Sequence, residues 1–160
     1  MKLWEKGYVP NPLVEQFTVG KDPELDMELV PYDILASKAH SRVLHSAGVL
    51  QDDELTKLVN SLEDIYTEYQ QGKFSISVSE EDCHTAIENQ LTQKLGDLGK
   101  KIHTARSRND QVLTAMRLFE MDAIGSILSA IDSLIGFMKT FADLNSEVPM
   151  PGYTHTRKAM

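Results

Sequence analysis

The sequence predicts an all-α fold, with an N-terminal helical domain followed by one long bundle-type helix. Three observations lead there. Apolar residues recur at helical steps in successive segments, a run from about residue 109 to 144 contains no proline, and no strand-rich region appears. Residues 1–108 form the expected first domain, and 109–160 the start of a bundle domain.

Residues 1–21 read as an irregular arm, because Gly7, Pro10, Asn11, Pro12 and Gly20 punctuate them. Asp22, Pro23 and Glu24 make a cap with proline at the first helical position. Pro31 then interrupts the pattern before a helix from about Tyr32 to Ala47, which Gly48 stops. A third segment starts at Asp52 or Asp53 and sets Leu55, Leu58, Val59, Leu62, Ile65, Tyr66 and Tyr69 on one face, ending at Gly72. FSISVS, residues 74–79, alternates like a strand. It stands alone before a capping box of Ser79 and Asp82, so an extended linker is expected there, then a helix to about Leu95.

The last helix, from Asn109 or Asp110 to about Leu144, bears a broad apolar band that includes Val112, Met116, Ile124, Ile127, Leu128, Ile131, Leu134, Ile135, Met138 and Phe141. At 1.5 Å per residue it is roughly 50 Å long. A compact domain of this size has a radius of gyration of only about 15 Å, so the band calls for other helices to cover it. After Pro149, Pro151 and Gly152 the chain restarts as YTHTRKAM. This is expected to be the cut-short start of another helix, in an N-terminal piece of a longer protein.

The net charge of −8 argues against a nucleic-acid or anionic-membrane partner. No charge-free run of 18 apolar residues occurs, so no membrane helix is expected, and the N-terminus lacks a signal-peptide core, which leaves the cytoplasm as the default. The single cysteine, Cys83, excludes an internal disulfide framework, and its place in a first helical turn does not mark a nucleophile. The acid excess has local exceptions. Residues 98–109 contain Lys100, Lys101, Arg106 and Arg108 and no carboxylate, which points to a small anionic partner.

Two segments could carry chemistry. In HTARSRNDQ, residues 103–111, arginines, Ser107 and Asn109 meet a helix start, where free N–H groups and the dipole favour a carboxylate or phosphate. Ser107 and Asp110 also fit a capping box that needs no ligand, and on spacing alone both readings stand. In PGYTHTR, residues 151–157, His155 lies beside two threonines and near Arg157 and Lys158. A histidine titrating near neutrality can act as acid or base, although a lone one after such a loop is more often structural. His40 and His45 are about 140° apart around a helix and share no face as metal ligands. Glu80, Glu81, Asp82 and His84 crowd a helix start, where acids meet the dipole, and do not read as a metal site.

Together HTARSRNDQ and PGYTHTR resemble the first two of three signature regions of the argininosuccinate lyase family, in the fumarase and aspartase superfamily. SEEDCHTAIENQLTQKLGDLGKKIHTARSRNDQ and YDILASKAH carry the likeness further, so that it runs from about Trp4 onward. The resemblance implies a homotetramer whose long helices form a twenty-helix central bundle. It also implies cleavage of argininosuccinate to fumarate and arginine by β-elimination, with no metal or organic cofactor. Ser107, Arg108 and Asn109 would hold the succinyl carboxylates, and Thr154 another carboxylate. His155 would transfer the proton, and His84 would line the substrate pocket.

Three departures stand out. The family's third signature, a GSSxMPxKxNP loop with the serine proposed as base, is absent, so the 160 residues alone are expected to be inactive. FTVGKD places Gly20 or Lys21 where many members have a substrate-contacting serine. Arg157 stands where glutamine is common. The alternatives are an adenylosuccinate lyase-like enzyme and a non-catalytic, crystallin-like structural relative.

Overall fold

The structure, a computed structural model, describes residues 11–149 and 151–159. The chain divides into two compact units, one ending at Glu120 and the other beginning at Met121.

The first unit begins with helix α1, Pro12–Val19, in the part expected to be irregular. The Asn11 carboxamide accepts from the Leu13 N–H at 2.9 Å, and Pro12 at the helix start lacks the N–H that would otherwise go unpaired. Residues that read as loop punctuation are thus start signals. The remainder of the expected arm, residues 1–10, lies outside the described residues. Helix α2, Asp22–Leu25, starts one residue earlier than the Asp22 cap implies, with Lys21 before it, and passes through a 3-10 turn, Asp26–Leu29, into α3, Val30–Ser46. Pro31 sits in the first turn of α3, where its missing donor does no harm. Helix α4, Asp52–Gln70, closes its start through Glu54, whose carboxylate accepts from the Gln51 N–H at 3.0 Å.

The FSISVS segment is irregular, as expected of a linker. The cap of α5, Cys83–Leu95, is Asp82 rather than the Ser79 box, because its carboxylate accepts from the Thr85 N–H at 2.6 Å. After α5 come α6, Asp97–Lys100, and a 3-10 turn, Lys101–His103.

The core lies among α3, α4 and α5. Val30, Ile34 and Leu44 meet Leu58, Leu62 and Ile65 of α4 and Cys83, Ala86, Ile87 and Leu91 of α5, closed by Leu50, Phe74 and Ile102. Leu58, Leu62 and Ile65 belong to the face expected from the period, while Leu55, Val59, Tyr66 and Tyr69 lie half-buried at its margin. Burying one such side chain contributes about 1.5–3 kcal/mol. Helix α3 also buries a polar stripe, Asp33, Ser37 and Ser41.

Helix α7, Arg108–Leu144, matches the expected rod. In the second unit its apolar residues, from Met121 and Ile124 to Met138 and Phe141, are exposed. Over 18 residues α7 averages a hydropathy of 1.4, so by length and composition it is long and apolar enough to cross a membrane; a search for charge-free runs overlooks it. Beyond it, Tyr153–Thr154 (β1) and Arg157–Lys158 (β2) pair antiparallel, with His155 and Thr156 at positive φ, 50° and 64°. The expected helix restart is therefore a two-residue hairpin. Left-handed backbone at both turn residues reverses the chain, and the Ala159 N–H then donates to the Gly152 carbonyl at 2.8 Å.

Close approach of backbones fixes one glycine. A Cβ at Gly99 would lie 2.5 Å from both the carbonyl carbon and oxygen of Leu91, atoms that cannot swing aside. Gly99→Ala is expected to lower stability by about 1–3 kcal/mol, read as a reduced denaturant midpoint with an unchanged slope.

Candidate active site

The turn before α7 positions the cationic segment. Ala105 holds φ 56°, a left-handed conformation unfavourable for alanine by about 1–2 kcal/mol, and it turns the chain into Arg106 and Ser107. Ser107 and Asp110 then form a complete capping box. The Ser107 N–H donates to Asp110 Oδ2 at 3.0 Å, and the Asp110 N–H donates to Ser107 Oγ at 3.2 Å. The Ser107 N–H and hydroxyl hold the Asp110 carboxyl below its usual range. Its ionised form therefore supports the cap above the ordinary aspartate pKa, and that support fades as pH falls through the lowered value.

Arg108 points back toward α5. Its Nη2 donates to Thr85 Oγ1 at 3.2 Å and its Nη1 to Gln111 Oε1 at 3.2 Å, while Asp82 and Glu88 carboxylates each lie 3.9 Å away. The guanidinium is thus oriented by neutral oxygens and balanced by two acids at longer range. Asn109 is exposed beside it.

His84 is 1% exposed, and its Nδ1 lies 3.2 Å from Asp33 Oδ2. Asp33 is fully buried. It accepts from Gln111 Nε2 at 2.9 and 3.0 Å on its two oxygens and from the Ser37 hydroxyl at 3.4 Å. Arg106 donates through both terminal nitrogens to Ser37 Oγ, at 3.2 and 3.4 Å, and burial lowers its pKa. Among the described residues its buried Nε has no hydrogen-bond partner. Asp33 and Ser37 were not singled out in the sequence, since polar residues spaced by four on a helix ordinarily face water; Arg106 was named there as part of the cationic segment and Gln111 as the last residue of its motif.

On the other side of Arg106 lies a cleft of about 310 Å³, lined by Ala36, His40, Ala105, Arg106, Asp110 and Thr114. His40 Nε2 meets the Thr104 carbonyl at 3.0 Å, and burial lowers its pKa. Ser107, Arg108, Asn109 and His84 do not line this cleft.

Thr154 and His155 belong to the second unit. Both are exposed, and Thr154 Oγ1 lies 3.0 Å from His155 Nδ1. Arg157 pairs with Thr154 across the hairpin. In the first unit Gly20 closes α1 at φ 55°, a conformation that disfavours a serine side chain, and Lys21 is exposed.

Donor atoms of Asp26, Cys83 and His84 lie within 4.8 Å of one another. Burial, with the charges of Asp33 and Asp26 next, pushes the Cys83 thiol far up, so it keeps its proton and packs as an apolar group. The positive end of α5 also opposes a cation there.

The architecture is an all-helical unit presenting an arginine at the start of a long apolar helix. A model of a family described as lyases matches residues 11–160, and the chain belongs to that family, whose fold is the helical one of fumarase and aspartase. Among curated relatives, an argininosuccinate lyase of Thermotoga neapolitana is 48% identical over 159 residues, covering 99% of this chain and 40% of that protein. One from Bacteroides fragilis is 44% identical, covering 99% of this chain and 36% of its own length. One from Crocosphaera subtropica is 46% identical over 134 residues, or 84% of this chain and 29% of that protein. The chain therefore spans 36–40% of the length of the first two.

Two outcomes follow from these contacts. Cys83 is expected to stay unlabelled by a thiol reagent at pH 8 in native protein and to react fully once denatured; native labelling at the denatured rate would contradict its burial. Ser107→Ala should cost about 1 kcal/mol of stability through the lost cap, measured by urea unfolding.

Proposed function

We propose that this chain is part of an argininosuccinate lyase, which splits argininosuccinate into fumarate and arginine. The observation that carries the reading is the 48% identity to a protein of that name over 159 residues, extending through both cationic segments. The domain division proposed is a helical domain over 1–108 and a bundle domain starting at 109.

The reaction needs a proton removed beside a carboxylate, a stabilised aci-carboxylate, and a protonated leaving nitrogen. Arg108, Ser107 and Asn109 bind the succinyl carboxylates at the α7 start. Charge-assisted hydrogen bonds from Arg108 and free N–H groups strengthen as negative charge builds in the transition state. The Ser107 hydroxyl exchanges its Asp110 partner for substrate when it does so. Thr154 binds a further carboxylate, and His155 moves the proton. His84 lines the pocket from α5. Glu88 and Asp82, each 3.9 Å from Arg108, balance that cation's charge when no substrate is present.

The partner set proposed is an anionic small-molecule substrate and three further copies of the chain in a homotetramer, in the cytoplasm, without nucleic acid or membrane. The exposed α7 band supports burial among helices. Asp122 and Asp132 within that helix make the hydrocarbon interior of a membrane the poorer surrounding.

The test is fumarate release from argininosuccinate, followed by ultraviolet absorbance. The full-length lyase containing these residues should be active, and His155→Gln should lower kcat by on the order of a hundredfold or more. The 160 residues alone should release none. A full-length protein inert toward argininosuccinate but active on adenylosuccinate would favour the adenylosuccinate lyase-like alternative, and inertness toward both the structural one.

A further inference from the structure

We infer that Asp33 and Gln111 are positioning residues that set the orientation of Arg108, through hydrogen bonds, and of His84, through the 3.2 Å approach of its Nδ1 to Asp33; the inference rests on the lyase reading above for the substrate that Arg108 binds. The Gln111 carboxamide is 3% exposed and used at both ends. Its Nε2 donates to both oxygens of Asp33, at 2.9 and 3.0 Å, which fixes the amide so that Oε1 faces Arg108 Nη1 at 3.2 Å. Asp33 in turn faces His84 Nδ1 at 3.2 Å. Two groups on different helices, α5 and α7, thereby share one anchor on α3.

The arrangement has a direction. A carboxylate accepts only, so the amide nitrogen must face Asp33 and the amide oxygen must face the guanidinium. Flipping the amide would set its oxygen against a buried anion and its N–H₂ against a cation. Arg108 is therefore held with Nη1 on Gln111 and Nη2 on Thr85, both neutral, while the Asp82 and Glu88 carboxylates stand back at 3.9 Å and make no hydrogen bond to it. That is the condition a carboxylate-binding arginine needs before substrate arrives.

A merely structural network would tolerate any substitution that keeps the fold. The positioning role predicts a specific dependence on the donor and acceptor pattern. Gln111→Met keeps the volume and removes both polar ends. Gln111→Glu keeps the shape, and when protonated it still donates to Asp33 and accepts from Arg108. When ionised it meets Asp33 as a second anion and bonds Arg108 directly, neutralising it. The groups facing position 111 are Asp33 and, through Ser37, Arg106; Arg108; and, past these, His84, Asp82 and Glu88.

In the full-length lyase, Gln111→Met should lower kcat/KM by on the order of tenfold or more, read at a temperature where the variant remains folded, because removing a donor from buried Asp33 also lowers the melting temperature. Gln111→Glu should approach wild-type kcat/KM at acid pH and lose it as pH rises through the ionisation of the new carboxyl, a limb the wild-type profile lacks. A Gln111→Met enzyme within about twofold of wild type, or a Gln111→Glu profile parallel to wild type, overturns the inference. A wild-type protein inert toward argininosuccinate removes the lyase reading alone. The inference is then judged by nitrogen NMR of the Arg108 guanidinium, where rotation slow in wild type and fast in Gln111→Met supports it, and equal rotation in the two overturns it.

Discussion

A carboxylate with no exposure to water is the constraint on which the first unit depends. Asp33 sits inside α3, and moving an ionised carboxyl into such surroundings without partners would be prohibitive. It is tolerated because the amide of Gln111, the hydroxyl of Ser37 and the imidazole of His84 converge on it. Each of those groups comes from a position that must be correct for the carboxylate to be satisfied. The start of α7 and the start of α5 are thereby tied to α3 by direction-specific contacts, which apolar packing alone does not supply.

Apolar packing supplies most of the stability and polar contacts the register. Leu58, Leu62 and Ile65 of α4 fill the space against α3 and α5, a surface that a sliding helix could still satisfy approximately. The buried polar residues permit no such slide. Gly99 adds a steric limit, since α6 rests its backbone on the last turns of α5, and through that contact the cationic segment from Lys100 to Arg108 is placed over Thr85 and Glu88.

Much of this was legible in the amino acids, and the portions that were not have physical reasons. Helix α4 shows its period because one face is apolar and the other charged, and α7 is announced by length without proline. The capping box at Ser107 was open to two readings, and the reciprocal bonds with Asp110 show that it forms. Asp33, Ser37 and Ser41 were missed because polar residues four apart ordinarily face water, and only the arrival of Gln111 from far along the chain inverts that rule. Helix α1 was missed because asparagine and proline serve both turns and helix starts. The hairpin at Tyr153 to Lys158 depends on left-handed backbone at His155 and Thr156, residue types that give no such warning. The arginine motif itself was readable; the company Arg108 keeps, Thr85, Gln111, Asp82 and Glu88, required the fold.

The apolar band of α7 bears on how the protein holds together as well as on what it touches. Residues such as Ile124, Ile131 and Phe141 stay in water in the single chain, so this part of the helix gains nothing from the core that secures α3 to α5. In the proposed homotetramer its stabilisation would come from encounter with other helices, and an encounter obeys mass action. On that proposal the two units would answer to different variables. The first would have a folding free energy set by its own sequence, whereas the second would have one that deepens with concentration, so that dilution loosens it first.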